Sequence, residues 1–434
     1  MRRLFSRLRQ ASRDLTLGFT LVELMVALTG GLFVSVAVFT LAKQATGLYQ
    51  SEARMSNATL GSVVGFERLR LDIERASFLV TPNLRHDPAV CVKPDATWPA
   101  YLSHLAGIYI QPTDTTGMPV QRGNHITPDQ ITLAGSYASS DSYPAAVIQP
   151  SGVNHIVQLD MSFGGIARLG YASAANAAAQ RDLLLTVFGI GRALRIVDAE
   201  GHEQYGTIED VQGGAVATIL LKQSAPPLAY LGQNASGKCG IMGSGAQHVV
   251  NVVNLVRYSI KDMSTDPRYA PLFSAGTTTA GAGATPTTDI GRTELVREEL
   301  DTSGNSIDGT AEIVSEFAVD LSFGVTVSEL ASGASGGQIE QLETFAPGTA
   351  TTTWAGDTTT MDPLHGPQRI RGVRARLSVR SREADRLAGM PDGGAFGPGL
   401  FRIGLGANGT APFARVRTVQ ADIAIRNQRG VTWL

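Results

Sequence analysis

The sequence predicts an α+β protein in which one long N-terminal helix packs on β-sheet and carries an enlarged β-rich head. Three observations predict it. An unbroken apolar run follows a short basic segment, an apolar stripe at helical spacing continues beyond that run, and the rest of the chain alternates short apolar stretches with turn residues. At 434 residues the chain can bury a sizeable core. Its 36 basic and 38 acidic side chains nearly cancel, so bulk charge argues for neither nucleic acid nor acidic lipid as a general partner. Few aromatic residues and 48 glycines point to many turns, the profile of a β-rich extracytoplasmic protein.

Residues 1–18 carry Arg2, Arg3, Arg7, Arg9 and Arg13 against one acid, Asp14, a flank that stays on the cytoplasmic side of a membrane. From Phe19 to Ala42 the chain reads FTLVELMVALTGGLFVSVAVFTLA, with Glu23 its one charge. At helical rise this run is about 36 Å long, enough to cross a bilayer. A secretory signal peptide is cut after its apolar segment at a small-residue site. No Ala-x-Ala ending follows this span, and the distinctive residues, Gly18-Phe19-Thr20-Leu21-Val22-Glu23, lie at its start. A carboxylate within a span costs roughly 2.5 to 3.5 kcal/mol on insertion scales and is normally paired, so Glu23 calls for a partner. The plain alternative is an interfacial acid favoured by the helix dipole. Gly30 and Gly31, in mid-span, each weaken a helix by about 1 kcal/mol relative to Ala. They permit either local unwinding or close helix packing.

Beyond the span, Val63, Phe66, Leu69, Ile73 and Ala76 recur at steps of three or four, and Thr81-Pro82-Asn83 ends the pattern. The helix therefore covers 19–82, and its apolar stripe should lie on a sheet. Residues 83–248 read as a β-rich middle region with strands at ITLAG, HIVQLDM, RALRIVDAEG and AVATILLKQ. Residues 249–434 form a C-terminal β domain with the clearest strands: VVNVVNLVRYSI, TELVREEL, AEIVSEFAVDLSFGVTV, IRGVRARLSVRS and ARVRTVQADIAIRN. There Val373, Ala375, Leu377 and Val379 share one face with Arg374, Arg376 and Arg380 on the other, while Val419, Ala421, Ile423 and Ile425 make a second apolar face. Loops at 274–289, 331–338 and 347–360 are rich in Gly, Ala, Ser and Thr and lack a packing pattern. Cys91 and Cys239 are the only cysteines; without a Cys-x-x-Cys pair they support neither zinc nor thioredoxin chemistry. Outside the cytoplasm they can form one disulfide closing a long loop; two buried free thiols are the alternative.

The segment Gly18 to Glu23 matches the prepilin processing motif, and on it the chain resembles type IV prepilin-like proteins. RLRLDIERASF, the run LTVFGIGRALRIVDAEGHEQYGTIEDV and the strand series after 249, with Tyr-Ser-Ile, Leu-Val-Arg-Glu and a terminal Arg-Asn, resemble the PilW family of type IV pilus minor pilins. RLRLDIERASF is also similar to the J-type pseudopilin of type II secretion. The resemblance implies a pilin helix, transmembrane in its first half and amphipathic in its second, packed on antiparallel β-sheet. It implies cleavage by a prepilin peptidase between Gly18 and Phe19, methylation of the new Phe19 amine, and retention of residues 19–42 as the assembly helix. Glu23 would then meet a freed amine, its own or a neighbour's. The expected function is that of a non-enzymatic structural subunit, without cofactor, that primes pilus assembly within a tip complex. Its expected partners are minor pilins of the FimU, PilV and PilX types, the major pilin and a PilY-type tip adhesin. Its expected location is the inner membrane with a periplasmic head, then the pilus tip at the cell surface. A J-type pseudopilin is the alternative.

Other chemistry is less well supported by its residues. Gly333-Ala334-Ser335-Gly336-Gly337 matches the hydrolase nucleophile turn, but lies in SELASGASGGQ with no amphipathic helix following. His86, His104, His125, His155, His202, His248 and His365 are scattered and form no close ligand pair. Asp301, Ser303, Asn305 and Glu312 fit positions of a calcium loop, but Ser306 replaces its glycine and the flanks read as strands, so a polar hairpin connection accounts for them better. Arg369, Arg371, Arg374, Arg376, Arg380, Arg382 and Arg386 make a basic stretch without interleaved aromatic residues, the pattern of a solvated strand face more than of a nucleic-acid site.

Overall fold

The computed structural model describes residues 20–116, 118–223, 226–230, 239–241, 244–264, 266–273, 291–332, 338–347, 354–355, 365–382, 399–403 and 413–431. Contacts divide the chain into two units, Met1–Ser56 and Asn57–Leu434. The described part of the first belongs to one helix, α1 (Leu21–Glu74), whose last turns enter the core of the second unit. The molecule is α+β, with a long apolar helix at its N-terminal end and antiparallel ladders throughout the larger unit.

Strand β8 (Ser244–Lys261) organises the larger unit. Its first half pairs on one side with β3 (Tyr143–Ser151) and on the other with β5 (Ala193–Val197). Through β4 (Asn154–Leu159), β7 (Thr218–Lys222) and β6 (Glu203–Gln212) the order runs β8-β3-β4-β7-β6-β5 and returns to β8, closing a barrel. Closure leaves those strands without an open edge. The second half of β8 pairs with β2 (Asp129–Gly135) and with β9 (Glu294–Leu300), and the sheet extends to β1 (Ile108–Pro112) and β10 (Glu312–Ser315). A separate sheet runs β12-β11-β13-β15-β14, from β11 (Ala318–Ser332), β12 (Gln338–Phe345), β13 (Ile370–Arg380), β14 (Leu400–Arg402) and β15 (Phe413–Ala424). The boundary expected at 248/249 is therefore corrected. It falls inside β8, where one continuous strand serves both the barrel and the next sheet. The middle region also contains a helix, α2 (Ala177–Val187), whose cap Asn176 accepts the Ala179 amide at 2.9 Å.

Phe66, Leu69, Ile73 and Ala76 are buried among side chains of both sheets, including Ile110, Leu133, Tyr258, Phe323 and Leu377. Phe66, Leu69 and Ile73 each contribute about 1.5–3 kcal/mol on leaving water. Val63, assigned to this stripe by spacing, stays exposed. The expectation of a helix to residue 82 is corrected as well, because α1 ends at Glu74. Ser77 and Leu79 adopt left-handed backbone angles, and the Ser77 amide donates to Ala134 O at 2.8 Å instead of continuing the helix. On β13 the alternation appears as expected, with Val373, Ala375, Leu377 and Val379 buried. Arg380 is the exception. Placed on the wet face by its parity, it is fully buried with its guanidinium over the Phe317 ring.

The end of α1 also buries a charge. Asp72 is only 4% exposed, and its Oδ2 accepts from Arg297 Nε on β9 and from Tyr258 Oη on β8, both at 2.8 Å. Tyr137 Oη donates to the Asp72 carbonyl at 2.7 Å, and Arg75 lies over the Tyr137 ring while donating to Ser136 O. Burial, reinforced by the adjacent carboxylate, pushes the Tyr258 hydroxyl well above its ordinary value and keeps it a donor. Replacing only Asp72 or only Arg297 strands the other in a dry site. Asp72→Ala and Arg297→Met are each expected to cost about 3–5 kcal/mol in denaturant unfolding, with the double variant costing much less than their sum.

Residues 80–105 cross over the junction between barrel and sheet. Val80, Leu84, Val90, Trp98, Leu102 and Leu105 pack against Tyr205, Val253 and Leu300. Cys91 N donates to Glu203 O and Glu203 N to Ala89 O, so this strap lies beside the start of β6. Cys91 and Cys239, 148 positions apart in sequence, form a disulfide with Cα atoms 5.6 Å apart. Replacing both by Ser is expected to lower unfolding stability by about 3–5 kcal/mol, the loop-closure value for so long a link; equal midpoints with and without reductant would contradict it.

Candidate functional site

The first turn of α1 combines a special residue pattern with a special setting. Thr20 precedes the helix, and its Oγ1 accepts the Glu23 amide at 3.2 Å. Glu23 Oε2 reaches back to accept from Thr20 N and from Thr20 Oγ1, each at 3.0 Å. This is a reciprocal capping box, in which a hydroxyl at the cap and a carboxylate three residues on satisfy each other's free amides. The carboxylate also faces the positive end of the helix dipole. The next amide, Leu24 N, already bonds Thr20 O at 3.1 Å. Thr20-Leu21-Val22-Glu23 carries the capping signature in the sequence itself, and the box adds a local partner to the two roles expected of Glu23, an amine's partner or an acid favoured by the helix dipole.

The helix from Leu21 to Tyr49, 29 residues, is long and apolar enough to cross a membrane. Leu21, Val22, Leu24, Met25, Leu28, Leu32, Phe33, Val36 and Phe39 are all exposed in the chain on its own. Its threonine and serine hydroxyls are consumed internally: Thr29 donates to Met25 O, Ser35 to Gly31 O, Thr40 to Ala37 O and Thr46 to Ala42 O, at 2.8–2.9 Å. A helix that satisfies its own polar groups is suited to lipid, which offers no hydrogen bonds in return. The helix runs unbroken through Gly30 and Gly31, and a Cβ at either would meet nothing in this chain.

Gly18 and Phe19, the expected processing pair, lie outside the described residues, as do Ser335 and its glycine-rich neighbours and Arg386. The Asp301 carboxylate is turned onto its own loop, accepting from Ser303 N, Asn305 N and Asn305 Nδ2, while Glu312 on β10 is in register with Arg297 on β9. The segment is a polar connection between β9 and β10. Among the described residues no three His, Cys, Asp or Glu side chains gather as a metal set. His155 meets Tyr230 Oη at 2.7 Å and His202 meets Asp198 at 2.9 Å. The arginine stretch is dispersed. Arg369 is buried along with Arg380, Arg374 pairs with Asp422, Arg376 pairs with Asp320, and Arg371 donates to the carbonyls of Gln368 and Val431. An open groove on the second sheet is lined by residues that include Leu342, Gly372, Ala424 and Arg429; the one carboxylate in its lining, Asp422, is already engaged by Arg374.

In micelles, Thr20→Val should remove the cap, with the Thr20 and Glu23 amides exchanging faster by the equivalent of about 0.5–2 kcal/mol, whereas Thr20→Ser keeps wild-type protection. Comparison with protein-family models, curated proteins and solved structures found no match in any of the three.

Proposed function

We propose that this chain is a type IV prepilin-like structural subunit, a minor pilin of the PilW kind, processed at Gly18–Phe19 and carried into a filament by α1. The observation that carries the reading is the coincidence of the processing motif with the capped first turn of a membrane-length helix. Cleavage between Gly18 and Phe19 leaves Thr20 N as an amide, so the capping box survives it. The same cut frees an amine one residue before the cap, close in sequence to the Glu23 carboxylate. A carboxylate that costs roughly 2.5–3.5 kcal/mol in a span is then held by its own first turn before assembly and available to an amine afterwards.

On this reading residues 19–42 keep the subunit in the inner membrane with its head in the periplasm, and the head makes lateral contacts near the pilus tip. The partners are a prepilin peptidase, minor pilins of the FimU, PilV and PilX types, the major pilin and a PilY-type adhesin. The similarity of RLRLDIERASF to the J-type pseudopilin supports a secretion pseudopilus as the second reading, and copurified proteins decide between them.

The mature protein, isolated with its partners, should have the mass of a chain starting at N-methylated Phe19. An intact residue 1, or a cut after residue 42, would sink the proposal. Glu23→Ala should leave cleavage intact and abolish incorporation into filaments, read by immunoblot of sheared fibres; normal incorporation would remove Glu23 from the mechanism.

A further inference from the structure

Where the chain passes from the first sheet to the second, two carboxylates of the first grip backbone amides at the start of the second. Asp129 on β2 accepts Phe323 N of β11 at 3.0 Å. Glu294 on β9 accepts Phe317 N, in the link entering β11, at 2.9 Å. Thr293 Oγ1 donates to Ala318 O at 2.6 Å and is itself held by Gln121, so this register is tightly set. Phe317 has a left-handed φ of 55°, and the guanidiniums of Arg292 and Arg380 stand over its ring, 4.7 and 5.0 Å from the ring centre. We propose that this junction is a proton-sensitive clasp, in which Asp129 and Glu294 set how tightly the second sheet is held to the first.

Asp129 faces Asp320 on β11 and Arg376 on β13, which bond each other at 3.2 Å. Glu294 is fully buried, pairs with Arg292, and feels Glu316 on the link. Burial pushes Asp129 up to about 6 despite the Phe323 amide, and pushes Glu294 up to about 7 despite Arg292. Both acids therefore bind a proton more tightly in the folded state than in the unfolded one. Their stabilising contribution is complete below the ordinary carboxylate range and is lost as pH rises through about 6 for Asp129 and about 7 for Glu294. A protonated acid still offers an acceptor oxygen to the amide; a charged one must be held in a site that solvates it poorly.

The test is amide exchange on the full-length chain in micelles, corrected for intrinsic rates, at about pH 5 and about pH 8. Protection of the Phe317 and Phe323 amides should fall by at least about tenfold at the higher pH, as follows when folding strengthens proton binding at each acid by that factor or more. Ile219, in the barrel, serves as the reference and should change far less. Asp129→Asn with Glu294→Gln keeps the acceptor oxygens and should remove the pH response, and Asp129→Asn alone should remove it at Phe323 if the pair fails to fold. Equal protection at both pH values, an equal fall at Ile219, or a pH response surviving in the variants would overturn the proposal.

Discussion

The Asp72 carboxylate sits in the last turn of α1 with almost no access to water, and Arg297 and Tyr258 reach it from adjacent strands. A buried ion pair adds little net stability compared with an apolar substitute, but it is unforgiving of misplacement. If α1 rotated or slid by one residue, Arg297 would lose its partner and a charge would be stranded. The pair thus fixes how the helix end enters the core, while Phe66, Leu69 and Ile73 supply the apolar burial. The strands that grip Asp72, β8 and β9, are neighbours in the first sheet, so helix register and sheet register depend on each other.

Strand β8 extends that constraint through the rest of the larger unit. A single strand completes the barrel with its first half and joins the helix-bearing sheet with its second, which leaves no flexible link between them. The strap that packs across this junction carries Cys91, and its disulfide to Cys239 ties the strap to a distant segment. The second sheet is attached differently, through the shared core and through polar contacts from Asp129, Thr293 and Glu294 to β11. This attachment rests on two acids whose carboxyls burial pushes up, Asp129 to about 6 and Glu294 to about 7.

The first turn of α1 answers a different demand. In the larger unit Asp72, Asp129 and Glu294 find partners across the fold, whereas the apolar part of α1 satisfies its own hydroxyls and its own Glu23 from within a few residues. That self-sufficiency is what a lipid environment requires of an isolated span. On the proposed reading it would keep Glu23 satisfied while the subunit waits in the membrane, with its hydrogen bonds to Thr20 open to exchange for an amine.

Local patterns were legible wherever the physics is local. The apolar run after Gly18, the Thr20 to Glu23 signature, the alternation in β13 and the polar turn at Asp301 each depend on residues only a few positions apart. The candidate site belongs to this class, and the sequence by itself determined its residues and the helix that carries them. The barrel, the role of β8 and the shortened end of α1 were decided by pairing between distant segments, and composition holds no record of which strand meets which. Asp72 and Arg297 are 225 positions apart, and nothing near either one announces the other. Arg380 shows the same limit in one residue: its parity assigns it to solvent, and only the tertiary structure, by bringing Phe317 over the end of β13, buries it. Spacing along the chain fixes which way a side chain points; what it meets there is set by strands that arrive from elsewhere.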